Sequence, residues 1–289
     1  MASPKLTELS KIARKRSALL RSSEKGLLDK ASSLEVKLND YILKVLLPSL
    51  DIKNGKILNS NANLKFTNSS TGLKKFIKDV VNSAMFDFYD KQFNGLTGAT
   101  EQYYNKFEPT AAQEKAILER GQLIINGFVD DLFDNNQIAK ALQQTIRNGI
   151  TSSQSLVDVG KLLTEQIEGK EDKFGLIKSY HYQNGYDQFQ AYSRGLDEQF
   201  SQALNLNYAI YAGGEIRTTR VFCDERAGNV YNRETILSWD DLDWQGKKAN
   251  NNILIDLGGY NCRHDLDWIS YQLAKRIDPS IEKSEFDKK

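Results

Sequence analysis

From the N-terminus to about Leu204, apolar residues recur at steps of three and four, the period of an α-helix with one buried face. Leu27, Ala31, Leu34, Leu38, Ile42 and Val45 would line such a face through the first fifty residues, which Pro48 ends. The polar stretch Asn54 to Thr71 follows; its segments Lys56–Leu58 and Leu64–Phe66 leave a small hairpin and a surface loop both open. A second helix carries Leu73, Phe76, Ile77, Val80, Val81, Ala84, Met85 and Phe88 on one side and Lys74, Lys75, Lys78 and Asp79 among its exposed positions. A third begins after Thr110 with Ile117, Leu118, Gly121, Ile124, Ile125, Phe128 and Leu132 at helical spacing, where the small Gly121 predicts close approach of another helix. Three more segments follow: Gln137–Arg147, Ser153–Ile167, and a long one from roughly Phe174 to Leu204. Thr151, Ser152 or Ser153 can cap the free N–H groups that open the second of them.

Past Leu204 the period shortens. Tyr208–Ala212 and Glu215–Val221 flank Gly213-Gly214, a dipeptide suited to a two-residue hairpin turn. A helix over Arg233–Trp239, a short apolar strand over Ile253–Leu257 and a last amphipathic helix over Leu266–Ile277, ending before Pro279, complete the pattern. The charged tail from Glu282 to Lys289 reads as frayed. The fold class is therefore mainly α with a small α+β C-terminal domain. A helical N-terminal part over 1–134, a C-terminal domain over 135–280 and a tail over 281–289 follow as the expected divisions.

Composition narrows the function classes. Apolar residues at 40% and charged residues at 27%, with 39 basic against 38 acidic groups, describe a globular chain and not a wholesale nucleic-acid coat. Charge is uneven: residues 1–30 carry a net of +5, which reads either as a solvated helical face or as a docking point for an acidic partner. Two cysteines, Cys223 and Cys262, do not make a disulfide-built secreted scaffold, and a reducing cytoplasm is the expectation. No apolar run reaches the ~18–20 residues that span a bilayer, and no secretory signal opens the chain, so no membrane partner is expected.

Reactive residue types crowd two stretches: Arg217-Thr-Thr-Arg220-Val-Phe-Cys223-Asp-Glu-Arg226-Ala-Gly228 and Gly258-Gly-Tyr260-Asn-Cys262-Arg263-His264. Cys223, Cys262 and His264 could meet as three soft ligands for zinc, with His181, Asp224 or water as a fourth. The spacing lacks a Cys-x2-Cys pair, so two inert buried thiols beside a hydrogen-bonded His264 is the plainer reading, and no cofactor is assigned from sequence. Cysteine nucleophilic catalysis with His264 as base would need a third orienting group. Arg217, Arg220, Arg226 and Arg263 could bind phosphate in a bidentate fork, or be consumed by Asp224, Glu225, Asp265 and Asp267 in structural ion pairs. Asp240, Asp241 and Asp243 between Trp239 and Trp244 match no calcium loop and read as turn or helix-end residues. Nucleotide-cradling loops, a Gly-x-Ser-x-Gly elbow and a His-Glu-x-x-His pair are all absent from the sequence.

The order of features is more specific than any one of them. Ile146-Arg-Asn-Gly-Ile-Thr-Ser-Ser-Gln-Ser-Leu156, a long helix with Tyr180 to Arg194, Tyr211-Ala-Gly-Gly214, Thr219-Arg220-x-x-Cys223-x-x-Arg226-x-Gly228, Trp239 and Gly259-Tyr-Asn-Cys-Arg-His264 follow one another. Over roughly residues 135–275 this succession resembles the Mu F-like, or head morphogenesis, proteins of tailed bacteriophages. One departure stands out: family members often carry a histidine ahead of the second cysteine, whereas Asn261 precedes Cys262 here and His264 follows Arg263. The resemblance implies a minor head protein without enzymatic activity, built into the virion near the portal vertex during assembly in the host cytoplasm. Its implied partners are the portal protein and capsid or scaffold proteins, contacted through the N-terminal helices, and packaged DNA is a further partner the basic N-terminus could touch. A phage-borne enzymatic or toxin-like C-terminal domain, nuclease or transferase, using the Cys/Arg/His cluster is the alternative.

Overall fold

The computed structural model describes residues 4–69, 71–133, 137–214 and 216–288. Helix makes up 70% of the structure and strand 8%, so the chain is mainly α, with a small three-stranded sheet in the C-terminal region. Helix α1 (Pro4–Tyr41) continues through a π-helical turn (Ile42–Leu46) into a 3-10 turn (Leu47–Ser49) that carries Pro48. The hairpin β1 (Ile52–Lys53) and β2 (Lys56–Ile57) precedes α2 (Asn61–Ser69) and α3 (Thr71–Phe76), which runs through a second π-helical turn (Ile77–Asn82) into α4 (Ser83–Tyr104). Then come α5 (Ala111–Phe133), α6 (Gln137–Thr151), α7 (Leu156–Glu168), the hairpin β3 (Gly169–Lys170) and β4 (Lys173–Phe174), and the long α8 (Leu176–Ala203). The remainder is β5 (Tyr208–Ala212), α9 (Val221–Asp224), β6 (Val230–Asn232), α10 (Arg233–Ser238), α11 (Ile253–Asp256), β7 (Asp265–Ile269), α12 (Tyr271–Ile277) and a 3-10 turn (Glu285–Lys288). No helix among the described residues is long and apolar enough to cross a membrane.

The chain forms two compact units: Met1–Ser23 with Gln92–Asn126 and Tyr186–Lys289, and Glu24–Lys91 with Gly127–Gly185. The second unit is built on the predicted helical stripes. Leu27, Ala31, Leu34, Leu38 and Ile42 are fully buried, but Val45 is exposed, because the π-helical turn adds a residue and brings Leu46 and Leu47 inward instead. Leu73, Ile77, Val81, Met85 and Tyr89 are buried at strict four-residue steps. That spacing drifts around a 3.6-residue helix, and the wider turn over Ile77–Asn82 absorbs part of the drift. Gly149 of α6 lies where a Cβ would fall 2.5 Å from Val159 of α7, so the glycine makes room for that side chain. Ser155 caps α7, its hydroxyl accepting from the Asp158 N–H at 3.0 Å.

Within this unit the polar stretch forms neither a hairpin of Lys56–Leu58 with Leu64–Phe66 nor a surface loop, since Lys56–Ile57 pairs with Ile52–Lys53 and Leu64–Phe66 lies in α2. Asn54 and Gly55 take positive φ (52° and 73°) and close the β1–β2 hairpin as an Asn-Gly turn, while Leu64–Phe66 is helical. Asn63 ties the two together: its carboxamide accepts from the Asp51 N–H and donates to the carbonyls of Asp51 and Leu58. His181 on α8 is buried with Tyr89, the hydroxyl 3.2 Å from Nδ1. Burial lowers the His181 pKa to about 3, so the ring is neutral.

The first unit holds the sheet. It is three-stranded and antiparallel in the order β6-β5-β7, with Tyr208 opposite both Asn232 and Ile269. Phe189, Leu196 and Phe200 of α8 are buried, with Phe200 stacked on Tyr104 at 4.8 Å. Gly121 of α5 leaves room for Leu196 and Tyr192, the close helix approach its position predicts. Ile124, expected inside, is about half exposed, because the buried positions of α5 fall on Ile117, Gly121 and Ile125.

Several expectations for the C-terminal region fail. β5 pairs with Val230–Asn232 and Asp265–Ile269 and not with a strand after Gly213-Gly214; residues 216–220 are irregular, Val221 opens α9, and Glu215 lies outside the described residues. Ile253–Leu257 is not a strand: Asn252 caps a single helical turn there by accepting from the Leu254 N–H. The predicted helix over Leu266–Ile277 divides, because Asp265–Ile269 is buried on both faces as β7 and only Tyr271 onward is helical. The tail is not frayed over its described residues. Asp287 accepts from Tyr208 and Asn207, and Ser284 is buried with its hydroxyl donating to Glu234.

Buried charges fasten this unit. Arg16 donates to Asp197 and, at 2.8 Å, to Asp267, and it lies 5.6 Å from the centre of the Tyr103 ring. Arg233 donates to Glu198 at 2.6 Å and covers the Trp268 ring at 4.0 Å. The acids expected to occupy the site arginines, Asp265 and Asp267, therefore serve Arg194 and Arg16 from other helices.

Candidate functional site

Two short segments and one helix build the site in the first unit. Arg220, in an extended conformation, starts the one-turn α9, and its carbonyl accepts from the N–H groups of Cys223 and Asp224, which turns the Cys223 side chain inward. Gly259 and Asn261 take positive φ (90° and 55°) and fold the second segment into a turn whose next residue, Cys262, is buried. Asn261 is fixed there by its N–H donating to Asp187. β7 then begins immediately after His264.

Arg194 on α8 organises this second segment. Its guanidinium is fully buried and donates to the carbonyl of Cys262 at 2.8 Å and to that of His264 at 2.6 and 3.1 Å. A third direction reaches the Ile255 carbonyl at 2.9 Å. Burial works against the charge, but Cys262 and Asp265 hold the Arg194 pKa above its ordinary value. Its Nε lies 3.6 Å from Asp265.

Cys223, Cys262 and His264 come together, all three buried, with their sulfur and nitrogen atoms within 4.8 Å of one another. The two sulfurs are 4.0 Å apart, and the Cys262 sulfur is 4.0 Å from His264 Nδ1. Both cysteines are free thiols, and the Tyr211 hydroxyl donates to the Cys223 sulfur at 3.3 Å. The hydrogen bond from the Cys223 thiol and the Arg194 cation, against burial, lower the Cys262 pKa, while the same contact with Cys262, burial and the charge on Cys262 raise that of Cys223. A cavity of about 250 Å³ opens onto all three side chains and is bordered by Thr219, Arg220, Asn261 and Arg263. Glycines make the cluster fit: a Cβ on Gly258 would lie 2.3 Å from the Cys223 sulfur, and one on Gly213 would lie 2.4 Å from the His264 ring.

Of the fourth zinc ligands expected from sequence, His181 is in the other unit with Tyr89, and Asp224 is exposed and outside the cluster. Arg220 borders one cavity with Arg263 and a second with Arg226, and Arg217 lines neither. Arg220 donates to the Tyr260 carbonyl at 2.7 Å; Arg226 stacks on Phe222 at 4.0 Å, lies near Trp239, and meets Glu225 at 3.5 Å; Arg217 and Arg263 are exposed. Asp240 holds the start of α11, accepting from Asn251 and from the Ile253 N–H, as a turn residue would. Arg194 and Gly258 are the site residues that sequence reasoning did not single out as such. A charged residue amid the buried face of α8 was the available signal for Arg194.

Compared with protein-family models, with curated proteins and with solved structures, the chain matches none.

Proposed function

We propose that the chain is a minor head protein of a tailed bacteriophage, a structural component that acts in head assembly near the portal vertex. The observation that carries this reading is the convergence of those segments of the resemblance that lie in the first unit. Tyr211, the Thr219–Gly228 segment, the Gly259–His264 segment and Arg194 of the long helix lie far apart in sequence, yet they meet in one buried nucleus. A succession of motifs that also folds into a single nucleus is more specific than the succession alone. In this reading the C-terminal nucleus is scaffold and performs no catalytic step, and the N-terminal helices supply the contacts to portal and capsid or scaffold proteins. The basic N-terminus then faces an acidic partner, packaged DNA among them.

Cross-linking in cells producing the phage, followed by capture of the full chain and mass spectrometry, tests the proposal. Recovery of portal and capsid proteins is expected. Recovery of neither, with the captured chain folded, overturns it.

A further inference from the structure

We propose that Cys223, Cys262 and His264 bind a zinc ion, with a water molecule from the adjoining cavity as the fourth ligand. The inference is independent of the assembly role, since it stands on the geometry of three side chains. Two thiols and an imidazole are the soft donor set that zinc takes in tetrahedral sites. Zn–S bonds of ~2.3 Å and Zn–N bonds of ~2.0–2.1 Å at tetrahedral angles place two sulfurs about 3.8 Å apart and a sulfur and nitrogen about 3.6 Å apart. The two 4.0 Å edges of the cluster are within a few tenths of an ångström of these values. The third edge, at most 4.8 Å, closes by no more than about 1.2 Å, within the reach of small side-chain rotations.

The surroundings also suit a metal. His264 is 4% exposed, and its Nδ1, the ring nitrogen that faces the Cys262 sulfur, makes a weak 4.0 Å contact with that thiol, which a metal ion between them would replace. The backbone on either side of Arg263 is fixed by Arg194 through the carbonyls of Cys262 and His264, which sets the positions of two of the three ligands before any ion arrives. Gly258 makes room for both sulfurs, since a Cβ there would lie 2.3 Å from that of Cys223 and 3.0 Å from that of Cys262. Three protein donors leave one coordination position, and the cavity of about 250 Å³ that reaches all three residues supplies solvent to it. The ion would join α9 to the turn before β7, segments that the Arg220–Tyr260 hydrogen bond and the contact between the two thiols already bring together, with Cys223 and Cys262 39 positions apart.

The test is elemental analysis of the full chain purified under reducing conditions without added metal, together with cobalt(II) titration of the chelator-treated protein. One zinc per chain is expected, and cobalt should give thiolate-to-metal charge-transfer absorption with the intense visible bands of a tetrahedral site. Cys262→Ser and His264→Ala should each weaken binding by at least about tenfold, the loss that removing even an outer-shell partner brings. The wild-type titration needs no variant to fold. Wild-type protein that keeps its helical circular dichroism yet holds no zinc and gives no cobalt–thiolate absorption overturns the proposal. So does metal binding unchanged in Cys223→Ser and Cys262→Ser, or a Cys223–Cys262 disulfide in protein taken from a reducing cytosol.

Discussion

Replacing Arg16 by Met tests the charge arrangement that fastens the sheet-bearing unit. Arg16 is 1% exposed and is the shared partner of Asp197 and Asp267, both fully buried. Methionine fills much of the volume but leaves two carboxyls without their cation, and breaking a buried pair in this way costs roughly 3–5 kcal/mol. For a chain of this size each kcal/mol lowers the melting midpoint by about 2–4 °C, so the midpoint should fall by roughly 6–20 °C near neutral pH. The loss should depend on pH in a definite direction. Burial, opposed by Arg16 and helped by neighbouring acids, pushes Asp197 up to about 7 and Asp267 up to about 6, from 3.8. Folded-state values above the unfolded one mean that the folded chain holds protons which the unfolded chain has released. The stability allowed by these groups is therefore full below about pH 4 and is lost as pH rises through 6 and 7. Without Arg16 both carboxyls rise further and are neutral near pH 5, where only lost hydrogen bonds remain, about 1–3 kcal/mol. Thermal melts of wild type and Arg16→Met near pH 5 and near pH 7.5 should show a gap that narrows on acidification. An equal gap at both pH values, or none, would refute the reasoning.

Three further outcomes are expected. His181→Gln removes a ring whose pKa burial lowers from 6.5 to about 3; its stability contribution is present above pH 6.5 and lost as pH falls towards 3. Urea titrations between those limits should give a variant whose stability falls less steeply than wild type by about 1.4 kcal/mol per pH unit, and equal slopes would contradict a buried neutral ring. Gly258→Ala places a methyl 2.3 Å from the Cys223 sulfur and should destabilise the chain by about 1–3 kcal/mol while lowering cobalt affinity; unchanged affinity in the same titration would mean that the sulfurs do not converge there. Asn63→Ala removes three hydrogen bonds that join the β1–β2 hairpin to α2, takes away the acceptor of the Asp51 N–H while the Asp51 and Leu58 carbonyls keep the Leu58 and Ser60 N–H groups, and should cost about 1–3 kcal/mol by chemical denaturation.

The long helices were legible because their apolar stripes run over many turns, so that a misplaced residue such as Val45 or Ile124 does not disturb the pattern. Short apolar runs carry no such redundancy. Ile253–Leu257 reads equally as a strand or a helical turn, and the Asn252 cap decides it. Leu266-Asp-Trp-Ile269 continues an amphipathic helix by spacing, yet it is a strand because β5 pairs with it along its length. The two aspartates of β7, Asp265 and Asp267, are buried with Arg194 and Arg16 as partners, 71 and 251 positions away, and local pattern cannot supply such partners. The Asn54-Gly55 turn, by contrast, was a strong local signal inside a stretch read as loop or hairpin. At the candidate site the reactive residue types were legible from their crowding. Their meeting was not, since it depends on α9, on the turn at Gly259 and Asn261, and on Arg194 reaching across from α8.

Quantitative mass spectrometry of gradient-purified particles and procapsids from cells producing the phage tests the assembly role most directly. The account predicts this chain in both, at low copy and in constant ratio to the portal protein. Purified particles and procapsids that contain portal and capsid proteins but none of this chain would contradict it.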